Sequence, residues 1–303
     1  MKWFLLVSVI FLCSFTVVAQ QENEHLLKYL QQKFSEPAGP TYSDSLYQLS
    51  LPELRLPESL KSASIPAMVD NSKLPYLRPV FEQVGASCGQ SSAIGYNFTY
   101  EMDLARGVHA DTSINQYPTH FTYNFENTGY EYYGASYFHS FDILKKCGNM
   151  NVKDYGGFTD NGSRWISGYN LYYNGMFNRI EDVCTIKTNT SRGILALKNW
   201  VYNHMGESAL GGVASFYAGS PWNAKILAAG TPEQGRYVVT EFSVPAVHAM
   251  TIVGYNDSIR NDYNSDGKYT NNLDINNDGI IDVRDWEIGG FKFVNSYGNS
   301  GAG

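Results

Sequence analysis

Apolar and polar positions along the chain change period at about its midpoint. Between residues 91 and 107 the apolar side chains Ala93, Ile94, Tyr96, Phe98, Tyr100, Met102 and Leu104 recur closely enough for one buried helix that closes near Gly107. Shorter helical patterns occupy residues 24–34, 118–125, 140–147 (stopped by Gly148) and 194–204. Residues 149–190 read as irregular, with turns expected at Gly156-Gly157 and Asn174-Gly175. From residue 212 the period becomes that of strands. Residues 212–217 and 236–242 alternate, 246–255 form a near-continuous apolar run broken by His248, and 290–294 form a last strand. Helices first and antiparallel strands second predict an α+β fold of two lobes.

Composition adds boundaries. Residues 1–19 begin with Lys2, continue apolar and end in small residues, the pattern of a secretory signal cut before Gln20. The run is too short for a comfortable membrane span, so no membrane association is expected after cleavage, and Cys13 leaves with the signal. Residues 20–64 carry scattered prolines and no core pattern, and read as a prosegment or linker. The domain proper is expected over 65–303. A formal net charge of -7 argues against nucleic acid as partner. Few charges and many tyrosines suit a secreted or periplasmic monomer. Three cysteines remain after cleavage: Cys88, Cys147 and Cys184. An odd number leaves at least one thiol free or paired outside the chain; a Cys147–Cys184 disulfide would make Cys88 the spare.

Cys88 sits where a Gly/Ser loop becomes the long helix. Unpaired N–H groups and the positive end of the dipole there favour a thiolate, the nucleophilic form of the side chain. The alternative is a small buried structural cysteine. Gln83, five residues upstream, offers an N–H for a developing oxyanion. His248 is the one polar side chain in an apolar strand and needs partners if buried. Asn295 ends the last strand and offers a carbonyl to hold an imidazole.

The order Gln, Cys at a helix start, His in a strand and Asn-Ser-aromatic-Gly resembles the papain-like cysteine peptidases (family C1) over residues 65–303. The pieces that carry the likeness are Ile65-Pro66-Ala67-Met68-Val69-Asp70, then Gln83 and Cys88, then Val247-His248-Ala249, then Asn295-Ser296-Tyr297-Gly298. The resemblance implies a two-lobe papain fold and hydrolysis of peptide bonds in a protein or peptide substrate. Cys88 would be nucleophile, His248 base and acid, Asn295 its orienter and Gln83 the oxyanion donor. Tyr297 would shield the His–Asn bond where the family has Trp. In a second register Cys88 matches an upstream structural cysteine and Ser91 takes the nucleophile position, giving an inactive protein-binding module. Gly134-Ala135-Ser136 is the nearest match to the family's Gly-Gly substrate wall. Family members continue beyond Asn-Ser-aromatic-Gly with further strands, so the strand-rich lobe is expected to be incomplete at the C-terminus. Acyl transfer by the same triad is a related expectation.

An acidic stretch separates His248 from Asn295. Asp274, Asn276, Asp278, Ile280, Asp282 and Asp285 occupy positions 1, 3, 5, 7, 9 and 12 of a calcium-loop pattern, with Gly279 at position 6. It resembles dockerin and EF-hand loops, with Asp at the last position. Asp262, Asn264 and Asp266 repeat the first half, but the twelfth position there is Leu273. The insert 262–285 is thus expected to bind Ca2+ structurally, no cofactor being needed for catalysis; an Asn/Asp-rich surface turn, or a dockerin-like adhesion module, is the other reading.

Overall fold

A computed structural model describes residues 47–299, save 128, 160–163, 220, 221 and 228. The expected signal over 1–19, Cys13, the helical pattern at 24–34 and the end of the chain at Gly303 lie outside the described residues.

The predicted helix begins at Cys88. Three residues in α-helical geometry (Cys88–Gln90) run into a π-helical stretch (Ser91–Phe98) and then a regular α-helix (Thr99–Arg106). Gly107 ends it in the left-handed conformation at φ 63°, with the cap N–H groups returning to Asp103 and Leu104. Eight residues of π geometry are uncommon, since wider turns pack their own backbone less well. Here the stretch is buried all round. Ala93, Ile94 and Phe98 pack with Tyr117, Tyr137, Phe138 and Leu144 from the helical lobe, while Tyr96 and Tyr100 pack with Val213, Val253 and Val294 from the sheet. A helix between two cores has no polar face, which explains the lack of charge from Ser91 to Tyr100.

The helical lobe adds Thr119–Glu126, Tyr137–Lys146, Val152–Tyr155 and Tyr169–Gly175. The last of these corrects the expected turn at Asn174-Gly175: both residues close a helix. Gly156 does turn the chain, at φ 85°. The other lobe is an antiparallel sheet. Strand β1 (Met68–Asp70), β2 (Ala214–Gly219) and β6 (Ile288–Val294) all pair with the central strand β5 (Ala246–Arg260). A separate hairpin joins β3 (Trp222–Ile226) to β4 (Tyr237–Phe242); β3 was not expected from its short pattern. The helix Ser191–Asn203 packs Leu197 and Val201 against Tyr255 of the sheet. Among the described residues no helix is long and apolar enough to cross a membrane.

Residues 47–64, the described part of the expected prosegment or linker, pack on the domain. Leu56 is buried with Ala196 and Met205, and Thr185 bridges Glu53, accepting from Leu54 N (2.8 Å) and donating to Pro52 O (2.9 Å). The apolar spacing there was too sparse to show a core pattern, because only one face of an extended segment is covered. Cys147 and Cys184 form no disulfide; Cys88, Cys147 and Cys184 are all free thiols. Cys147 caps the helix Tyr137–Lys146 while Cys184 is exposed.

Candidate active site

Each lobe contributes one wall of the site. Gly85, at φ 64°, makes the turn before the Cys88 helix, and any Cβ there would lie 2.0 Å from the Glu131 carbonyl oxygen. Ala86 N donates to that same carbonyl at 2.7 Å. Ser87 ties the loop by donating to Val84 O at 2.8 Å. Gly89 has Ala135 O at 2.7 Å from its ideal Cβ position, and Gln90 Nε2 faces the Ala135, Ser136 and Ser140 oxygens. The expected substrate wall at 134–136 is therefore packed against the first turn of the helix, beside Cys88.

The sheet brings the other groups. β5 and β6 pair Thr251 with Val294. Continuing that antiparallel register carries the residues after Val294 back past His248. His248 Nε2 lies 2.8 Å from Asn295 Oδ1, and Ser296 N donates to the same oxygen at 2.7 Å. The backbone donor fixes that atom as an acceptor, so His248 carries its proton on Nε2 and presents a lone pair at Nδ1. Tyr297 stacks on the imidazole with ring centroids 4.8 Å apart, as expected of a shield. Its hydroxyl also lies 3.3 Å from Nδ1, which the motif did not signal. Trp222 stands beyond, 6.1 Å from the ring. No local pattern signals it, since β3 is a short strand without clear alternation.

Backbone pairing closes the gap between lobes. Gln83 N donates to Ser296 O at 2.8 Å and Gly298 N to Phe81 O at 3.2 Å. The phenol of Tyr96 takes Phe81 N–H and gives its own hydrogen to Asn295 O. Ser296 Oγ donates to Gln83 Oε1 at 2.6 Å, and Gln83 Nε2 donates to Gly85 O at 2.9 Å. The backbone N–H groups of Ala249, the residue after His248, and of Gly89 at the helix start favour the anionic form of the Cys88 thiol. Gln83 is thus joined to Ser296 and His248 to Asn295, while Cys88 acts electrostatically on Tyr297 and is acted on by the Ala249 backbone. Ser91 lies one turn further into the helix, fully buried, its Oγ without a partner.

Electrostatics correct one expectation. The helix N-terminus was expected to favour thiolate. Burial instead pushes the Cys88 thiol up, against the three backbone N–H groups that favour the anion. Burial likewise lowers His248, against the Asn295 hydrogen bond that raises it. Cys88 and His248 are 2% and 4% exposed, so both neutral forms prevail while the site is closed to water.

The acidic insert has a regular internal structure. Asp274 Oδ1 and Asn276 Oδ1 both accept from Asp278 N, and Asp274 Oδ2 accepts from Gly279 N at 2.8 Å. Asp262, Asn264, Asp266 and Gly267 repeat these contacts twelve residues earlier. The carboxylate of buried Asp285 takes the N–H groups of Ile275, Asn276 and Asp282. Glu287, which the motif missed, does the same for the first loop, accepting from Tyr263 N and Thr270 N. Arg284 bridges Asp278 and Asp282 at 2.6 and 2.7 Å. Among the described residues no three His, Cys, Asp or Glu side chains converge as a metal centre would require. Ile280 is exposed on the surface.

With this geometry in view, comparison with known proteins gives a fold. Xylellain, a cysteine protease from Xylella fastidiosa, superposes with a TM-score of 0.50 at 17% identity, over 75% of this chain and 82% of that one. The fold is papain-like and α+β. Procathepsin L 3 from the larval midgut of Tenebrio molitor gives 0.45 at 13% identity, over 92% and 79%. No family model matches the sequence, and no curated protein matches it.

Proposed function

We propose that this papain-like chain is a cysteine peptidase working through Cys88, His248, Asn295 and Gln83. What supports the reading is that the Ala249 backbone N–H favours the Cys88 anion while His248, one residue before, is held by Asn295. A substrate carbonyl enters beside Cys88, where the backbone N–H groups that favour the anion lie. The thiol proton passes to His248 Nδ1, and the sulfur attacks the carbonyl carbon. The negative charge that develops on oxygen meets the Cys88 N–H at the helix start and an N–H of Gln83 Nε2. Collapse of the tetrahedral species expels the amine, which takes the proton from His248. Water then repeats the sequence on the thioester and releases the acid, restoring the thiol. Asn295 keeps Nδ1 facing the sulfur throughout by holding Nε2–H.

Ser91 as the nucleophile, in an inactive module, has less support: its hydroxyl is sealed in the helix core. The deciding experiment is labelling by an irreversible thiol-directed peptidyl inhibitor, followed by peptide mapping. A Cys88 adduct that disappears in His248→Ala supports the peptidase reading. A folded chain that gives no adduct and cleaves no denatured protein substrate overturns it.

Export under a signal over residues 1–19, action as a monomer, and a protein or peptide as substrate belong to the same reading. Calcium at Asp274, Asn276, Asp278, Ile280, Asp282 and Asp285, with Asp262, Asn264 and Asp266 as a second half-loop, is proposed from the ligand pattern. Its binding requires Arg284 to leave Asp278 and Asp282.

A further inference from the structure

Tyr217 joins three parts of the site that come from different stretches of chain. In the β2–β5 register it lies opposite Ala249, the residue after His248. Its side chain packs, part-buried, on the core of the helical lobe. The ring stacks on that of Tyr137, with centroids 4.4 Å apart and planes 10° from parallel. Its hydroxyl oxygen accepts the N–H of Tyr137 at 3.0 Å. That N–H is the first of the helix Tyr137–Lys146 and has no acceptor within the helix. Ser136 supplies an oxygen to the next one, Phe138 N. The same phenol stands beside the turn that carries Cys88: a Cβ on Gly89 would lie 3.4 Å from its oxygen, 3.2 Å from Tyr137 N and 2.7 Å from Ala135 O. Burial pushes the phenol well above its ordinary range, and Tyr137 and Cys88 act on it in the same direction, so it is a neutral hydroxyl.

Residues 134–136 are thus gripped from two sides. Gln90 Nε2 faces the Ala135 and Ser136 carbonyls from the helix of Cys88, and Tyr217 holds Tyr137 N from the sheet. Tyr123 ties the residues just before, through Glu131 O and Tyr133 O, but from within the helical lobe. Tyr217 crosses between the lobes. A tyrosine suits such a span because its ring is long and turns about only two bonds, so little rotamer freedom is lost. A polypeptide laid along 134–136 would pair with the backbone there, and a wall already held in place spares the ordering cost that binding would otherwise meet.

We propose that Tyr217 is a positioning residue for substrate: its hydroxyl, reaching from β2 to Tyr137 N, fixes the wall 134–136 relative to Cys88 and His248. The inference rests on the peptidase reading for its substrate class, a polypeptide. The hydroxyl acts through the wall and takes no part in proton transfer.

Tyr217→Phe keeps the stacked ring and removes only the oxygen. With reduced, carboxymethylated α-lactalbumin as substrate, KM is expected to rise about threefold to tenfold while kcat changes by less than about twofold, as for one hydrogen bond that serves binding and not the chemical step. Surface plasmon resonance on Cys88→Ala chains, which cannot cleave the same polypeptide, should show the same factor in affinity. Alkylation of Cys88 by iodoacetamide, a reagent too small to engage the wall, should keep its rate. A lower melting temperature with unchanged KM and affinity would make the hydroxyl a purely structural contact and overturn the proposal. Slowed alkylation would also overturn it, by moving the action of the hydroxyl to Cys88 itself, as would the absence of any polypeptide binding by Cys88→Ala. Tyr217-dependent binding in a chain that gives no inhibitor adduct would uphold the wall and overturn the peptidase reading, so the two failures are told apart.

Discussion

Ser296 Oγ gives its hydrogen to Gln83 Oε1 at 2.6 Å, joining the segment after β6 to the loop before the Cys88 helix. Since Oε1 is thereby the acceptor end, the amide nitrogen of Gln83 is turned toward Gly85 O, in the loop before Cys88. Gln83→Ala removes a donor to the oxyanion and should lower kcat by about a hundredfold or more. Ser296→Ala leaves the donor but frees its orientation, with an expected loss of roughly twofold to tenfold. Steady-state kinetics on one peptide substrate check both; an unchanged kcat in Gln83→Ala would remove Gln83 from the mechanism.

The Tyr297 hydroxyl competes for the nitrogen that takes the thiol proton in the proposed mechanism. At 3.3 Å from His248 Nδ1 it stabilises the neutral imidazole, whose affinity for a proton is already lowered by burial and only partly restored by Asn295. Tyr297→Phe keeps the stacked ring and removes this contact. Alkylation of Cys88 by iodoacetamide at neutral pH is expected to quicken by roughly twofold to tenfold. Slower alkylation would show that the hydroxyl assists the transfer.

His204 and Glu101 make a pH-dependent clasp between the long helix and the loop leading to β2. His204 Nε2 lies 2.9 Å from Glu101 Oε2, and Nδ1 lies 2.7 Å from Leu210 O. With acceptors at both nitrogens, the ring is held protonated. Burial opposes that charge, but the Glu101 hydrogen bond and charge outweigh it, so the folded-state value is raised above 6.5. The clasp's contribution is complete below about 6.5 and is lost as pH rises through the folded-state value. Melting temperatures taken from pH 5.5 to 8.5 should fall less steeply in Glu101→Gln than in the unaltered protein. Parallel curves would exclude the clasp as a source of the dependence.

In the proposed calcium loop, Arg284 is the intramolecular competitor for the ion, through its pairs with Asp278 and Asp282. Arg284→Ala frees Asp278 and Asp282 and should strengthen binding of Ca2+ to the 274–285 loop, read by terbium luminescence or by the rise in melting temperature on adding the ion. Asp285→Ala should abolish that rise. No calcium effect in either the unaltered protein or Arg284→Ala would reduce the insert to a hydrogen-bonded turn.

Much of the fold was legible in the residues because it depends on local repeats. The helix ending at Gly107, the strand around His248 and the strand before Asn295 each announce themselves through spacing of apolar side chains and through a glycine where the backbone must turn. The order of Cys88, His248 and Asn295 was legible for the same reason: each sits at the start, in the middle or just past the end of such an element, while Gln83 lies in the loop before the helix. Tertiary structure alone decided the rest. The register of β5 on β6 brings Tyr297 over His248; burial pushes the Cys88 thiol up where the helix terminus by itself would lower it; Leu56 finds a core that its own segment does not suggest. Whether Cys147 pairs with Cys184, or Glu287 serves a loop that begins at Asp262, depends on distances between remote parts of the chain. Local sequence sets propensity and periodicity, but proximity and desolvation are properties of the packed whole, and those govern the chemistry at Cys88.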